Sequence, residues 1–232
     1  MNGRIAGQAS AFGARAVLGV IVIGGRRARI RGDVGCLETY SEPVVFETAA
    51  DTSMQQVFDG REREMLPSLA EAGQALLERG ATILTTTCGL LTTLQHDLAA
   101  RFAAPVAVSP LLQAPPLLKA VAPRKIGVIT AIADLLTPAR LAAAGIAPER
   151  AEVLDLSGTR HFLPALRDGL AIDPQLAERE IRESVQAVSP EVGALVVECA
   201  NLPPYRAALR AATGLPVWDA LDQLRWLARA WQ

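Results

Sequence analysis

The chain has 232 residues, enough for one large α/β unit or two small lobes with a real core; half of them are apolar and a fifth are charged. Its 23 Lys and Arg nearly balance its 24 Asp and Glu, and no basic run would track a phosphate backbone, which argues against nucleic acid as a partner. Three Cys and two His, without a CxxC or Cys/His ligand spacing, make neither a disulfide framework nor a zinc site.

Residues 1–16 read as a loose leader. Arg4 and Arg15 precede the apolar run AVLGVIVIGG, which superficially looks like a secretory signal. The next residues form the basic segment GRRARIRGD in place of a small-residue cleavage site, so the run is expected to be a first buried strand. No apolar stretch approaches the ~20 residues a bilayer-spanning helix needs, so no membrane partner is expected and the chain is read as cytoplasmic. The glycines at the end of this strand, Gly24 and Gly25, lack the further glycines of a dinucleotide or phosphate loop. Cys36 sits in the glycine turn GDVGC and is read as structural. LPSLAEAGQALLERG carries apolar residues at helical spacing and stops at Gly80. ATILTTTCGLL then reads as a buried strand ending at Cys88, with a crossover helix leading on to the strand PVAV.

The proline-rich segment SPLLQAPPLLKAVAPRK is the expected crossing from one lobe to the other. PRKIGVITAIAD reads as the next strand, PQLAEREIRESVQAVSP as a helix ending before Pro190, and GALVVECANLPPY as a buried strand ending at Cys199, with a crossover helix before PVW. LDQLRWLARAW closes the chain as an amphipathic helix, and Trp218, Trp226 and Trp231 are read as packing residues.

These elements repeat. Each of Cys88 and Cys199 is followed seventeen residues later by a proline and then a valine, at Pro105 and Pro216. Val20 and Val128 are 108 apart, and the cysteines 111 apart. The expected fold class is α/β, with two pseudo-symmetric lobes, each a mostly parallel sheet flanked by helices. The first lobe covers residues 17–115 and is completed by 210–232; the second covers 122–209. Each thiol falls at the carboxyl end of a strand, where open α/β sheets place ligands, so the active site is expected in the cleft between the lobes.

The chemistry such a pair suits can be stated from first principles. Removing a proton from the carbon next to a carboxylate, with no electron sink, needs a base, an acid on the opposite face and donors for the developing charge. A thiol can fill both acid and base roles, since its unperturbed pKa of ~8.5 is near neutrality and a helix N-terminus lowers it. Cys88 and Cys199 are therefore the candidate catalytic residues, exchanging roles between enantiomers. Gly89 and Ala200 are small, so backbone N–H groups there could reach a substrate carboxylate. Thr86, Thr87 and Thr130 offer hydroxyls and Asn201 an amide. Glu198 has two readings: a carboxylate that raises the Cys199 pKa, or a solvated or paired structural acid.

The segments TTTCG (residues 85–89), ECANLPPY (198–205), TGLPVWD (213–219) and RGDVGCLETY (31–40) resemble the aspartate/glutamate racemase superfamily, including its hydantoin racemases. The resemblance runs from Leu18 to Trp226. It implies two α/β lobes, two cysteines that transfer protons without a cofactor, and substrate held by Thr86, Thr87, Gly89, Ala200 and Asn201, with Thr130 a further candidate. The same fold serves maleate isomerases and arylmalonate decarboxylases. Two departures matter: Gly24 and Gly25 stand where two-cysteine racemases commonly place an acid, and Ala200-Asn201 replaces the threonine and histidine of glutamate racemases, which disfavours glutamate. Only Lys119 and Lys125 are present, so a pyridoxal Schiff base has few places to form, and neither cofactor nor metal is expected. The leading expectation is a racemase or epimerase of a small carboxylate-bearing amino acid or related compound. The alternatives are a dicarboxylate isomerase or decarboxylase, and a non-catalytic binding protein of the same fold. Arginine is the natural partner for a second carboxylate, though the sequence singles none out, and Arg160 and His161 in SGTRHFLPALRDG either line the site or face water. The apolar composition is compatible with a homodimer.

Overall fold

A computed structural model describes residues 16–25 and 28–231; the leader expected over residues 1–16 lies outside these except for Ala16. The first sheet is built from β1 (Leu18–Val22), β2 (Val44–Thr48), β3 (Ile83–Thr86) and β4 (Val106–Ala107), in the order β2-β1-β3-β4. The second contains β5 (Lys125–Thr130), β6 (Ala151–Asp155), β7 (Val192–Val197) and β8 (Val217–Trp218), in the order β6-β5-β7-β8. Every pairing is parallel. The two sheets therefore repeat one strand order, as the spacing of the cysteines implies. Val20 lies between Phe46 and Thr85, and Val128 between Val153 and Val196, so their equivalence holds at the level of strand register.

The central strands β1, β3, β5 and β7 are almost wholly buried, which explains their unbroken apolar runs. Helices cover the faces: α1 (Met54–Phe58), α2 (Leu66–Glu78), α3 (Gln95–Ala99), α4 (Ala114–Ala120) and α5 (Pro138–Ala143) come first. They are followed by α6 (Phe162–Asp168), α7 (Pro174–Val185), α8 (Arg206–Thr213) and α9 (Ala220–Ala228). α2 ends where the sequence predicts, because Gly80 adopts φ 88°, a left-handed conformation that stops a helix. The proline-rich crossing is itself helical: a turn over Pro110–Gln113 and then α4 connect β4 of one sheet to β5 of the other.

Three expectations change. No helix begins directly after either cysteine: a turn and a short 3-10 segment intervene, and the next α-helices start at Gln95 and Arg206. Residues 210–232 are divided between the lobes, since β8 pairs with β7 in the second sheet and only then does α9 return to pack on β3. Trp218 and Trp231 pack against apolar clusters, but Trp226 is 69% exposed and packs on no core. Among the described residues, no helix is long and apolar enough to cross a membrane.

The lobes are joined, not merely adjacent. One apolar cluster runs from Ile21 and Leu84 of the first sheet to Val128 and Val196 of the second. Beneath it, Arg140 on α5 reaches into the first lobe, where its guanidinium donates to the Val57 carbonyl (2.8 Å) and the Glu62 carboxylate (3.0 Å). Both side chains are almost fully buried, and Thr93 donates to the other oxygen of Glu62 at 3.0 Å. Burial alone would raise the Glu62 carboxyl, but the backbone hydrogen bond, Arg140 and Thr93 outweigh it and hold it below the usual range.

Replacing Arg140 by Met leaves Glu62 buried and unpaired, so the folded state should lose about 3–5 kcal/mol in urea unfolding, most of it restored when Glu62 is changed to Leu as well. Because Glu62 ionises more readily folded than unfolded, its stabilising contribution is present above the ordinary carboxylate pKa. It should fade as pH falls through the lower folded value, and this acid-side loss should be absent from the double variant.

Candidate active site

A cavity of 280 Å³ opens where the carboxyl ends of the two sheets face each other. Its wall repeats the duplication: Ile23 and Gly24 follow β1 and Ala131 and Ile132 follow β5, while Met54 and Phe58 on α1 answer to Leu163 and Leu166 on α6. The turn Thr87-Cys88-Gly89-Leu90 follows β3 and the turn Glu198-Cys199-Ala200-Asn201 follows β7. Both thiols therefore line one cavity from equivalent positions of the two lobes.

Of the candidate site residues, Cys88, Cys199, Thr87, Gly89, Thr130, Ala200 and Asn201 line this cavity. Thr86 does not. Its hydroxyl lies 2.9 Å from the Val108 carbonyl and 3.0 Å from that of Cys88, and it accepts the Cys88 N–H at 3.3 Å, so it shapes the cysteine turn from below. Thr87 accepts the Ile23 N–H at 3.1 Å and fixes the turn after β1. Thr130 spends its hydroxyl on Glu198, donating to Oε2 at 2.8 Å.

Gly89 is where the two cysteine turns touch. A Cβ placed there would lie 2.0 Å from the Glu198 carbonyl oxygen and 2.5 Å from Glu198 Oε1, so only glycine lets the two cysteine turns meet.

A polar chain leads away from Cys199. Its Sγ donates to Asn201 Oδ1 at 3.7 Å, Asn201 Nδ2 donates to Asp33, and Asp33 Oδ1 accepts from Arg29 Nη1 and from the Gly35 N–H, each at 2.7 Å. The Arg29 guanidinium lies over Gly35, whose missing side chain makes room for it: a Cβ there would come 2.5 Å from Arg29 Cζ. Arg29 lines the cavity, and its side chain is 7% exposed. Arg160 and His161 do not line it. The Arg160 and His161 N–H groups bond Glu180, and His161 Nε2 accepts the Asp173 N–H. From that segment Leu163, Leu166 and Arg167 reach the cavity, and Arg167 is exposed and paired with Asp168. Cys36 lies off the cavity wall, buried, its Sγ donating to Glu38 at 3.0 Å.

The electrostatics reverse one sequence expectation. Burial, and then the charge of Glu198, push the Cys88 thiol up to about 12. Cys199 is raised further by burial, by Glu198, and by Asp33 and Cys88, against the pull of the Asn201 backbone N–H. No helix N-terminus offsets this, because neither cysteine begins a helix. Glu198 is itself pushed up to about 7 by burial, against the Thr130 hydrogen bond and the field of Arg140. The sequence placed Glu198 beside Cys199 but gave no sign of its contact with Gly89, and Arg29 was hidden in a basic segment that looks like ordinary surface.

Solved structures superpose over almost the whole chain. A variant of arylmalonate decarboxylase in a sulfate-associated form covers 93% of this chain and 92% of its own, with TM-score 0.62 and 16% identity. Allantoin racemase from Pseudomonas fluorescens covers 92% and 91%, with TM-score 0.58 and 16% identity. Aspartate racemase from Picrophilus torridus covers 93% and 92%, with TM-score 0.55 and 16% identity. The chain has the aspartate/glutamate racemase superfamily fold. No protein-family model matches the chain. Among curated proteins, a dimethylsulfoniopropionate lyase of Durusdinium sp. clade D is 28% identical over 89% of this chain and 72% of its own length. Dimethylsulfoniopropionate lyase 7 of Emiliania huxleyi is 31% identical over 62% of this chain and 46% of its own, so this racemase-fold chain spans under half of that relative.

Gly89→Ala should force the two cysteine turns apart. The expected result is a loss of about 1–3 kcal/mol in thermal or urea unfolding, since the clash is with backbone at Glu198 and no flexible side chain can yield.

Proposed function

We propose that the chain is an enzyme that removes the proton from the carbon next to a carboxylate, with Cys88 and Cys199 as its acid/base groups and Arg29 as the partner of the carboxylate. The observation that carries this reading is the placement of both thiols, at equivalent turns of duplicated sheets, on the wall of one cavity that also holds a buried guanidinium. Arg29 uses Nη1 on Asp33, and the rest of its fork suits a carboxylate. The reacting carbon then lies between the thiols, with the substrate's far end against Met54, Phe58, Leu163 and Leu166.

The fate of the carbanion depends on the neighbouring carbon. Where that carbon carries a good leaving group, the electron pair of the broken C–H bond forms a C=C bond and expels the group. We favour this outcome, with a 3-dialkylsulfoniopropionate such as dimethylsulfoniopropionate as substrate: the thiolate takes the α-proton, the C–S bond breaks, and neutral dialkyl sulfide leaves acrylate behind. Two facts support it. The curated relatives are named for that lyase activity, and the apolar end of the cavity suits S-methyl groups better than a polar side chain. Gly24, where the resemblance places an acid that partners either a thiol or a substrate ammonium, is compatible with a substrate that has no ammonium.

Racemisation is the second reading, favoured by the pseudo-symmetric placement of the thiols: one removes the proton and the other returns one to the opposite face. The two are separated by NMR in deuterated buffer, using dimethylsulfoniopropionate, single-enantiomer amino acids, hydantoins and arylmalonates. The lyase reading predicts vinyl resonances of acrylate together with dimethyl sulfide. Changing the thiol that acts as base to Ala should lower turnover by about 10²–10⁴-fold. Deuterium exchange with inversion would replace elimination by racemisation, and full turnover in both Cys88→Ala and Cys199→Ala would sink the thiol mechanism.

A further inference from the structure

Proton abstraction by the two thiols leaves one buried acid unused. The Glu198 residue is 2% exposed, yet its carboxyl forms no ion pair among the described residues. Oε2 accepts from Thr130 at 2.8 Å, and Oε1 lies against Gly89, beside Cys88, on the cavity that both thiols line. The cation whose field acts on it, Arg140, is already committed to the carbonyls of Leu135 and Val57 and to Glu62. Beyond Cys199, Asp33 is matched by Arg29. Glu198 therefore faces two thiols, one hydroxyl and the field of Arg140, with no ion-pair partner among the described residues. An acid buried in this way raises the free energy of its own ionised form, and such groups concentrate at functional sites.

We propose, resting on the lyase reading of this site, that Glu198 is the proton acceptor shared by Cys88 and Cys199. In the occupied site the S–H bond of the attacking thiol breaks and its proton forms an O–H bond on Glu198. The thiolate then takes the α-proton of the substrate, re-forming S–H, while the C–H electron pair goes into the new C=C bond and the sulfide departs with the C–S pair. Glu198 afterwards releases its proton to solvent, so one proton leaves for each acrylate formed. A carboxyl near 7 exists in both forms at neutral pH, as an acceptor that must reload requires. A sulfonium held in the cavity lowers the thiol towards it, since a positive charge favours the thiolate. Thr130 is then a positioning residue for this acid.

Two measurements on Glu198→Gln, which keeps the shape of the side chain, test this. The first is kcat/KM against pH for the substrate the panel identifies. The wild type should lose activity as pH falls through about 7, and the variant should be about 10²-fold slower or worse with that acid limb gone. The second needs no substrate: iodoacetamide labelling of Cys88 and Cys199 against pH, read by mass spectrometry. Removing the carboxylate charge should let both thiols ionise at lower pH, so labelling at a fixed alkaline pH should be several-fold faster. Slower turnover with more reactive thiols is the signature of a lost proton acceptor, whereas a packing role would not produce the pair. Thr130→Val should shift the acid limb to higher pH, because it removes the hydrogen bond that favours ionised Glu198. Wild-type turnover and an intact acid limb in Glu198→Gln would overturn the proposal. Should no compound in the panel react, the functional reading fails, and an unchanged labelling profile would then overturn the role of Glu198 separately.

Discussion

The contact between Gly89 and the Glu198 backbone is the constraint on which the site depends. Two parallel sheets of the same plan each end a buried strand in a cysteine, but those cysteines become a pair only if the turns after β3 and β7 close on each other. A side chain at residue 89 would hold the turns apart by roughly its own thickness. The shared apolar cluster and the Arg140–Glu62 pair then keep the lobes in that relation.

Close approach has an electrostatic consequence. Bringing Cys88, Cys199 and Glu198 together in a buried space raises all three, so at neutral pH the thiols carry their protons and Glu198 is divided between two forms. On the proposed reading, a ligand that brings positive charge to the thiols, while its carboxylate meets Arg29, would shift that balance towards the thiolate. The polar chain Arg29–Asp33–Asn201 reaches Cys199 alone, and Leu90 stands where Asn201 stands in the other turn. The repeated plan thus places two thiols at equivalent positions with unequal surroundings.

Much of this was legible in the sequence because it is carried by local pattern. Buried parallel strands appear as continuous apolar runs, and the repeat of cysteine, proline and valine placed both thiols at strand ends and the chain crossing between them. Arg29, Gly35 and the contact between Gly89 and Glu198 were not legible, since their meaning lies in what the opposite lobe or a neighbouring turn brings to them. Thr86 looked like a ligand-binding hydroxyl because a run of three threonines does not reveal which face each side chain takes. The helices expected after each cysteine begin late, because the turns must first pass the lobe contact, and with that the expected lowering of the thiols is lost. Trp226 follows the helical pattern but falls on the outer face of α9.

The central claim is spatial: one small carboxylate sits with its reacting carbon between two thiols. A crystal structure of the chain with an unreactive carboxylate such as propionate would test it most directly. The account predicts the carboxylate on Arg29, with the neighbouring carbon in van der Waals contact with Cys88 Sγ on one side and Cys199 Sγ on the other. A carboxylate bound away from Arg29, with one thiol turned out of the cavity, would contradict it.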